Sequence, residues 1–131
     1  MNDGSTLSRS EALQRRTKQF ALRVIRLFKS IDRKNEEGRI IGRQLLRSGT
    51  SVGANYRGAC RSRTTKEFVA KIRLVLEEAD ESVYWMELLV EGEIIAARQL
   101  QSLLTEAKEL VAIFAASLRT ARRRAPRPMA R

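Results

Sequence analysis

Apolar residues recur at alternating steps of three and four along most of this chain, a period that suits helices and excludes sheet as the main element. The first such segment runs from about Ser10 to Asp32. At about 100° per residue, Leu13, Thr17, Phe20, Val24, Leu27 and Ile31 fall in one sector about 80° wide. Arg15, Lys18, Arg26, Lys29 and Arg33 fall opposite, so the segment reads as a helix with an apolar and a basic face. Ser10, ahead of Glu11, suits the N-cap. Leu22 and Ile25 lie off the core sector, and their exposure asks for a reason.

The second segment carries two conflicting signals. Glu36 to Arg47 reads as helix, but SGTSVGANYRGA (48–59) is dense in turn-forming residues and admits a glycine-rich loop. Against the loop, Ile41, Leu45, Ser48, Val52, Asn55 and Ala59 keep a 4-3-4-3-4 spacing straight through the stretch. Arg39, Arg43, Arg47, Arg57 and Arg61 line up on the other side of the same wheel. A loop has no cause to preserve both registers, so one helix is expected from about Glu36 to Arg61. Gly49 and Gly53, four apart, then allow a neighbouring helix to approach closely. Each costs about 1 kcal/mol relative to alanine, which packing must offset.

Ser62 to Thr65 breaks the pattern. Thr64 and Glu67 have capping-box spacing and open a third helix to about Glu91, with Phe68, Ile72, Val75, Ala79, Val83, Met86 and Val90 inward. Leu74, Trp85 and Leu88 lie roughly opposite, and Gly92 is placed to end the helix. A fourth helix, about Ala97 to Arg122, turns Leu100, Leu103, Leu104, Ala107, Leu110, Val111, Phe114 and Leu118 inward. The chain closes on RRRAPRPMAR, which contributes Arg122, Arg123 and Arg124. The expected fold is all-α: an antiparallel up-down four-helix bundle over 10–122, with a disordered N-terminus at 1–9 and a basic disordered tail at 123–131.

Composition narrows the chemistry. With no histidine and one cysteine, Cys60, the chain lacks a His general base, the usual metal sites and an internal disulfide. Cys60 has no His to activate it and reads as a small packing residue. Gly53-x-x-x-x-Gly58 has the glycine spacing of a phosphate loop, but Ala59-Cys60 stands where that mechanism needs Lys-Ser/Thr. Glu77, Glu78, Asp80 and Glu81 diverge around one helix and suit ion pairing better than metal binding. No catalytic residue, cofactor or metal is therefore expected. No apolar run is long enough for a membrane span, and MNDGSTLSRSE lacks the layout of a signal peptide, so a cytoplasmic protein is expected.

The net charge of +11 is unevenly spread: 77–109 carry 9 acidic against 2 basic residues, while 1–60 carry 5 against 13. The stripes on helices 1 and 2 and the C-terminal arginines suit phosphate contacts, in which arginine is favoured for its bidentate geometry. The alternative is a solvated face partly paired with the acidic third helix. Leu22, Ile25, Leu74, Trp85 and Leu88 point to an oligomer interface. The alternative there is that the helical wheel misplaces boundary residues.

QLLRSGTSVGANYRGA (44–59), EFVAKIRLVLEEADESVYWMELL (67–89) and the later L-x-x-E-A-x-E-L from Leu103 to Leu110 resemble the bacterial four helix bundle protein family. Its founding members are intervening-sequence proteins encoded within large-subunit ribosomal RNA genes, and the likeness spans about Phe20 to Arg122. The resemblance implies a left-handed antiparallel bundle that assembles as a homopentamer, with the glycine-containing second segment helical. A more distant likeness, to the accessory protein of diversity-generating retroelements, implies a basic pentameric barrel that binds nucleic acid and a reverse transcriptase. The expected function is a non-catalytic oligomer that binds RNA or DNA through basic helix faces. The alternative is a scaffold for an acidic protein partner.

Overall fold

The structure, a computed structural model, describes residues 7–125 and consists of four helices: α1 (Arg9–Ser30), α2 (Glu36–Ala59), α3 (Thr65–Glu91) and α4 (Ala97–Arg124). Connections of five residues (31–35, 60–64, 92–96) are too short for anything but antiparallel neighbours. Contacts run α1–α2, α2–α3 and α3–α4, so α1 and α3 stand on one diagonal of an up-down bundle and α2 and α4 on the other.

Local chemistry sets the helix ends. Ser8, not Ser10, is the first N-cap: its hydroxyl accepts from the Glu11 N–H while a Glu11 carboxylate oxygen accepts from the Ser8 N–H. Two serines bracket the start, and the reciprocal partner three residues on decides between them. At α3 the Thr64 hydroxyl accepts from the Glu67 N–H, but the Glu67 carboxylate leans toward Lys71 instead of closing the box. Gly92 ends α3 as expected, yet the left-handed residue is Glu93, at φ 60°. At the other terminus α4 continues through Arg123 and Arg124, so the expected disordered tail does not begin at 123. The expectations for 1–6 and 126–131 lie outside the described residues.

The doubtful stretch of α2 is helical throughout. Its buried face is Leu45, Ser48, Gly49, Val52, Tyr56 and Ala59, with Gly38 and Gly42 in the first turns. Tyr56 takes the inward place expected of Asn55, which is half-buried. The small residues face α1: Gly42 meets Ile31 and Phe28, Gly49 meets Val24, and Gly53 meets Thr17. Thr17 tolerates full burial there because its hydroxyl donates to the Leu13 and Gln14 carbonyls of its own helix, at 2.9 and 3.0 Å. Facing α3, the buried Ser48 and Ser82 hydroxyls share a 2.9 Å hydrogen bond, and Ser82 also donates to the Glu78 carbonyl.

Leu100, Leu110 and Phe114 of α4 complete the core with Ile72, Val75, Met86 and Leu89 of α3. The α1–α4 seam is sparser and closed by polar groups. Arg16 makes a bidentate contact with Glu106 at 2.8 and 2.7 Å and a third bond to Glu109 at 2.7 Å, while Arg23 donates to Ser102.

Candidate nucleic-acid interface

Antiparallel packing sets the two basic stripes side by side. On α1, Arg15, Lys18, Arg26 and Lys29 are exposed around the outward face, and Arg33 is exposed in the following loop. On α2, Arg43 and Arg57 are exposed, and Arg61 is exposed in the turn that follows the helix. Arg39 is half-buried, its guanidinium 4.3 Å above the Phe28 ring, which fixes the side chain without neutralising it.

The contacts Gly49–Val24 and Gly53–Thr17 set the heights of the two helices and sort these cations into two groups, with Arg26 between them. Lys29, Arg33, Arg39 and Arg43 gather at the α1–α2 loop, where Arg33, Lys34, Arg39 and Arg43 line a shallow depression with Glu36 and Ile40. Arg15, Lys18, Arg57 and Arg61 gather toward the other end. Arg43 and Arg57 are about 21 Å apart along α2 at 1.5 Å per residue, separated by the small residues Thr50, Ser51 and Ala54. Arg122, Arg123 and Arg124 are exposed in the last turn of α4, where cations meet the negative end of the helix dipole.

Arg47 stands apart. It turns toward α3, hydrogen-bonds the Glu81 carboxylate and lies 3.6 Å from Glu78. Of the thirteen cations read from the sequence, it is the one that pairs with a carboxylate among the described residues. Nothing in the period of α2 distinguished it from Arg43, because the pairing depends on which helix stands beside it.

Burial raises the Glu78 carboxyl above its ordinary value of 4.5; Arg47 opposes the rise, and Glu81 and Glu77 add to it. One carboxylate oxygen is buried without a hydrogen-bond partner, since 3.6 Å to Arg47 exceeds hydrogen-bond reach. A raised carboxyl favours the neutral form in the folded chain. The stabilisation is therefore full below the ordinary value and is lost as pH rises through the folded value. Glu78→Gln is expected to flatten this slope. Its urea midpoint should match or exceed that of the parent near neutral pH, and the difference should shrink toward about pH 4; a lower midpoint throughout would contradict it.

The apolar residues set aside as an interface divide. Leu22 and Leu74 are 41% and 50% exposed, so they are surface residues. Ile25, Trp85 and Leu88 are half-buried, and Trp85 packs against the core while its indole N–H donates to Glu81 at 2.9 Å. Two exposed apolar residues escaped the sequence reading: Ile40 and Tyr84, each 53% exposed. Tyr84 is braced edge-on against Trp85 with ring centroids 5.0 Å apart. Its adjacency to Trp85 was visible in the sequence, but Ile40 sits one turn into a polar face and gave no signal.

Cys60 is half-buried and its thiol is free. Among the described residues no three His, Cys, Asp or Glu side chains are placed to hold a metal ion, and no helix is long and apolar enough to cross a membrane.

Residues 10–116 match the model of the 23S rRNA-intervening sequence protein family. Among solved structures the chain is similar to a protein of unknown function from the S23 ribosomal protein family of Bacteroides thetaiotaomicron VPI-5482. The two are 31% identical with a TM-score of 0.77, over 86% of this chain and 99% of that one. No curated protein matches the chain.

Proposed function

This chain belongs to the 23S rRNA-intervening sequence protein family, and we propose that it is a cytoplasmic homo-oligomer that binds nucleic acid through basic helix faces without catalysing a reaction on it. The observation that carries this reading is the set of cations read from the sequence on α1, on α2 and in the loops that follow them, of which Arg47 alone pairs with a carboxylate among the described residues. Arginines held at fixed helical intervals suit a polyphosphate backbone, and each neutralised phosphate releases counterions. The Phe28 ring beside these cations is half-buried and covered by Arg39, so recognition would rest on charge and shape. A pentamer, the state implied by the family resemblance, is the form we expect.

The test is titration of a structured RNA and a duplex DNA against the protein from about 50 to 300 mM salt. Log affinity should fall steeply with log salt. Arg43→Glu/Arg57→Glu/Arg61→Glu should lower affinity at least ~100-fold and flatten the slope by roughly two to three units while helicity is unchanged. Unaltered affinity in that variant would defeat the reading. A second reading, a scaffold for an acidic protein, draws on the exposed Leu74 and Tyr84. Retrieval of one defined protein after nuclease treatment, with no binding to either nucleic acid near 150 mM salt, would favour it.

A further inference from the structure

The depression at the α1–α2 loop holds more than charge. Glu36, Arg39, Ile40 and Arg43 are related by steps of three and four on one face of α2, and Arg33 and Lys34 of the preceding loop close it at one end. None of its charged groups joins an ion pair among the described residues. Among these cations lies Ile40, 53% exposed, an apolar side chain that a surface for phosphate alone does not need.

Beside Ile40 the Arg39 guanidinium is fixed in place. The Phe28 ring packs against the core and lies directly on the α2 backbone, where a Cβ at Gly42 would stand 3.0 and 3.3 Å from two ring carbons. Arg39, one turn back along α2, covers that ring at 4.3 Å. Arg39 lines the depression and Phe28 does not, so the guanidinium has the ring on one side and the depression on another. A guanidinium is planar and weakly hydrated, and the bases of unpaired strands stack on it as aromatic rings do. Because the ring already orders Arg39, less freedom is lost when a base arrives.

We propose that this depression takes one nucleotide of an unpaired strand, its base against Arg39 and Ile40 and its flanking phosphates on Arg33, Lys34 and Arg43. The inference rests on the nucleic-acid reading above and narrows it, at this end of the bundle, to strands with free bases. The volume of about 550 Å³ falls within the roughly 300–1,000 Å³ of small-ligand sites. Arg43 stands about 5 Å beyond Arg39 and Ile40 along the helix, with the loop cations on their other side, so phosphates are met before and after the base. Glu36, the one carboxylate of the lining, stands at the loop end and turns phosphate toward the cations around it. Stacking reads the flat shape of a base and not its identity, so no sequence is selected.

The test uses the full chain and fluorescence anisotropy of end-labelled strands at about 100 mM salt. Three probes are compared: an oligothymidylate of about eight nucleotides, an abasic deoxyribose-phosphate strand of the same length and charge, and a duplex DNA. The parent should prefer the base-bearing strand to the abasic one by roughly 5- to 100-fold. Arg39→Lys keeps the charge but removes the plane, and should bring that preference close to unity. Ile40→Ala, a change at an exposed side chain, should reduce it as well, and circular dichroism should show both variants fully helical. Equal affinity of the parent for the two single strands, or a preference that survives Arg39→Lys, would overturn the inference while leaving phosphate binding standing. So would a parent that binds the duplex and neither single strand. A parent that binds none of the three would overturn the nucleic-acid reading, and this inference with it.

Discussion

Gly49→Leu is expected to destabilise the bundle by about 3 kcal/mol or more, enough to leave much of the chain unfolded at 37 °C. A Cβ at Gly49 would stand 2.8 Å from one Val24 methyl carbon, 3.1 Å from the other and 3.3 Å from the Val24 Cβ. Val24 is fully buried and β-branched, and a helix leaves such a side chain essentially one rotamer. It cannot swing aside, so α1 and α2 would have to separate along the seam. At Gly58 nothing lies within 4 Å of an added Cβ, so Gly58→Ala should gain about 0.5 kcal/mol from helix propensity alone. Urea midpoints of the two variants should therefore move in opposite directions. Val24→Ala added to Gly49→Leu should recover part of the loss, because it empties the space that the leucine needs. A Gly49→Leu midpoint equal to the parental one would mean that the two helices do not approach as described.

The seam between α1 and α2 was largely legible in the amino-acid sequence. The step pattern through 48–59 identified a helix where composition suggested a loop, because register survives only where backbone geometry is continuous. The finer assignment failed one residue away. A strict 4-3 count selects Asn55, whereas Tyr56, with its much larger apolar ring, takes the buried place beside Phe114. Side-chain volume overrode ideal spacing. Exposure of Leu22 and Leu74 was legible because their wheel positions lie far from the core sector. The half-burial of Trp85 was not, since a long ring on a boundary position reaches back toward the core. The cation row followed from α2 alone, but the withdrawal of Arg47 by Glu78 and Glu81 depends on how the helices are arranged around the bundle. A single-helix pattern does not contain that order; the short connections supply it.

Phe114→Ala should have an effect of similar size from the opposite cause. Phe114 is fully buried, and its ring meets Tyr56 with centroids 5.2 Å apart and planes tilted by 52°. The pair joins α2 to α4 across the bundle diagonal, so the contact holds together helices that are not neighbours. Removing the ring opens a cavity that rigid helices cannot close, costing about 3–5 kcal/mol, of which about 0.5–1.5 is the aromatic pairing itself. The melting temperature should fall by roughly 10–25 °C. Tyr56→Phe keeps the ring pair and should shift melting by only a few degrees. Tyr56→Ala combined with Phe114→Ala should cost less than the sum of the two single changes, because the second finds its partner already gone. Strict additivity would mean that the rings do not interact. Phe114 is buried behind Tyr56 whereas the neighbouring Arg57 is exposed, so at temperatures where Phe114→Ala is still folded its affinity for nucleic acid should equal the parental value. A large loss of affinity in the folded variant would mean that packing across this diagonal also sets the spacing of the arginine row.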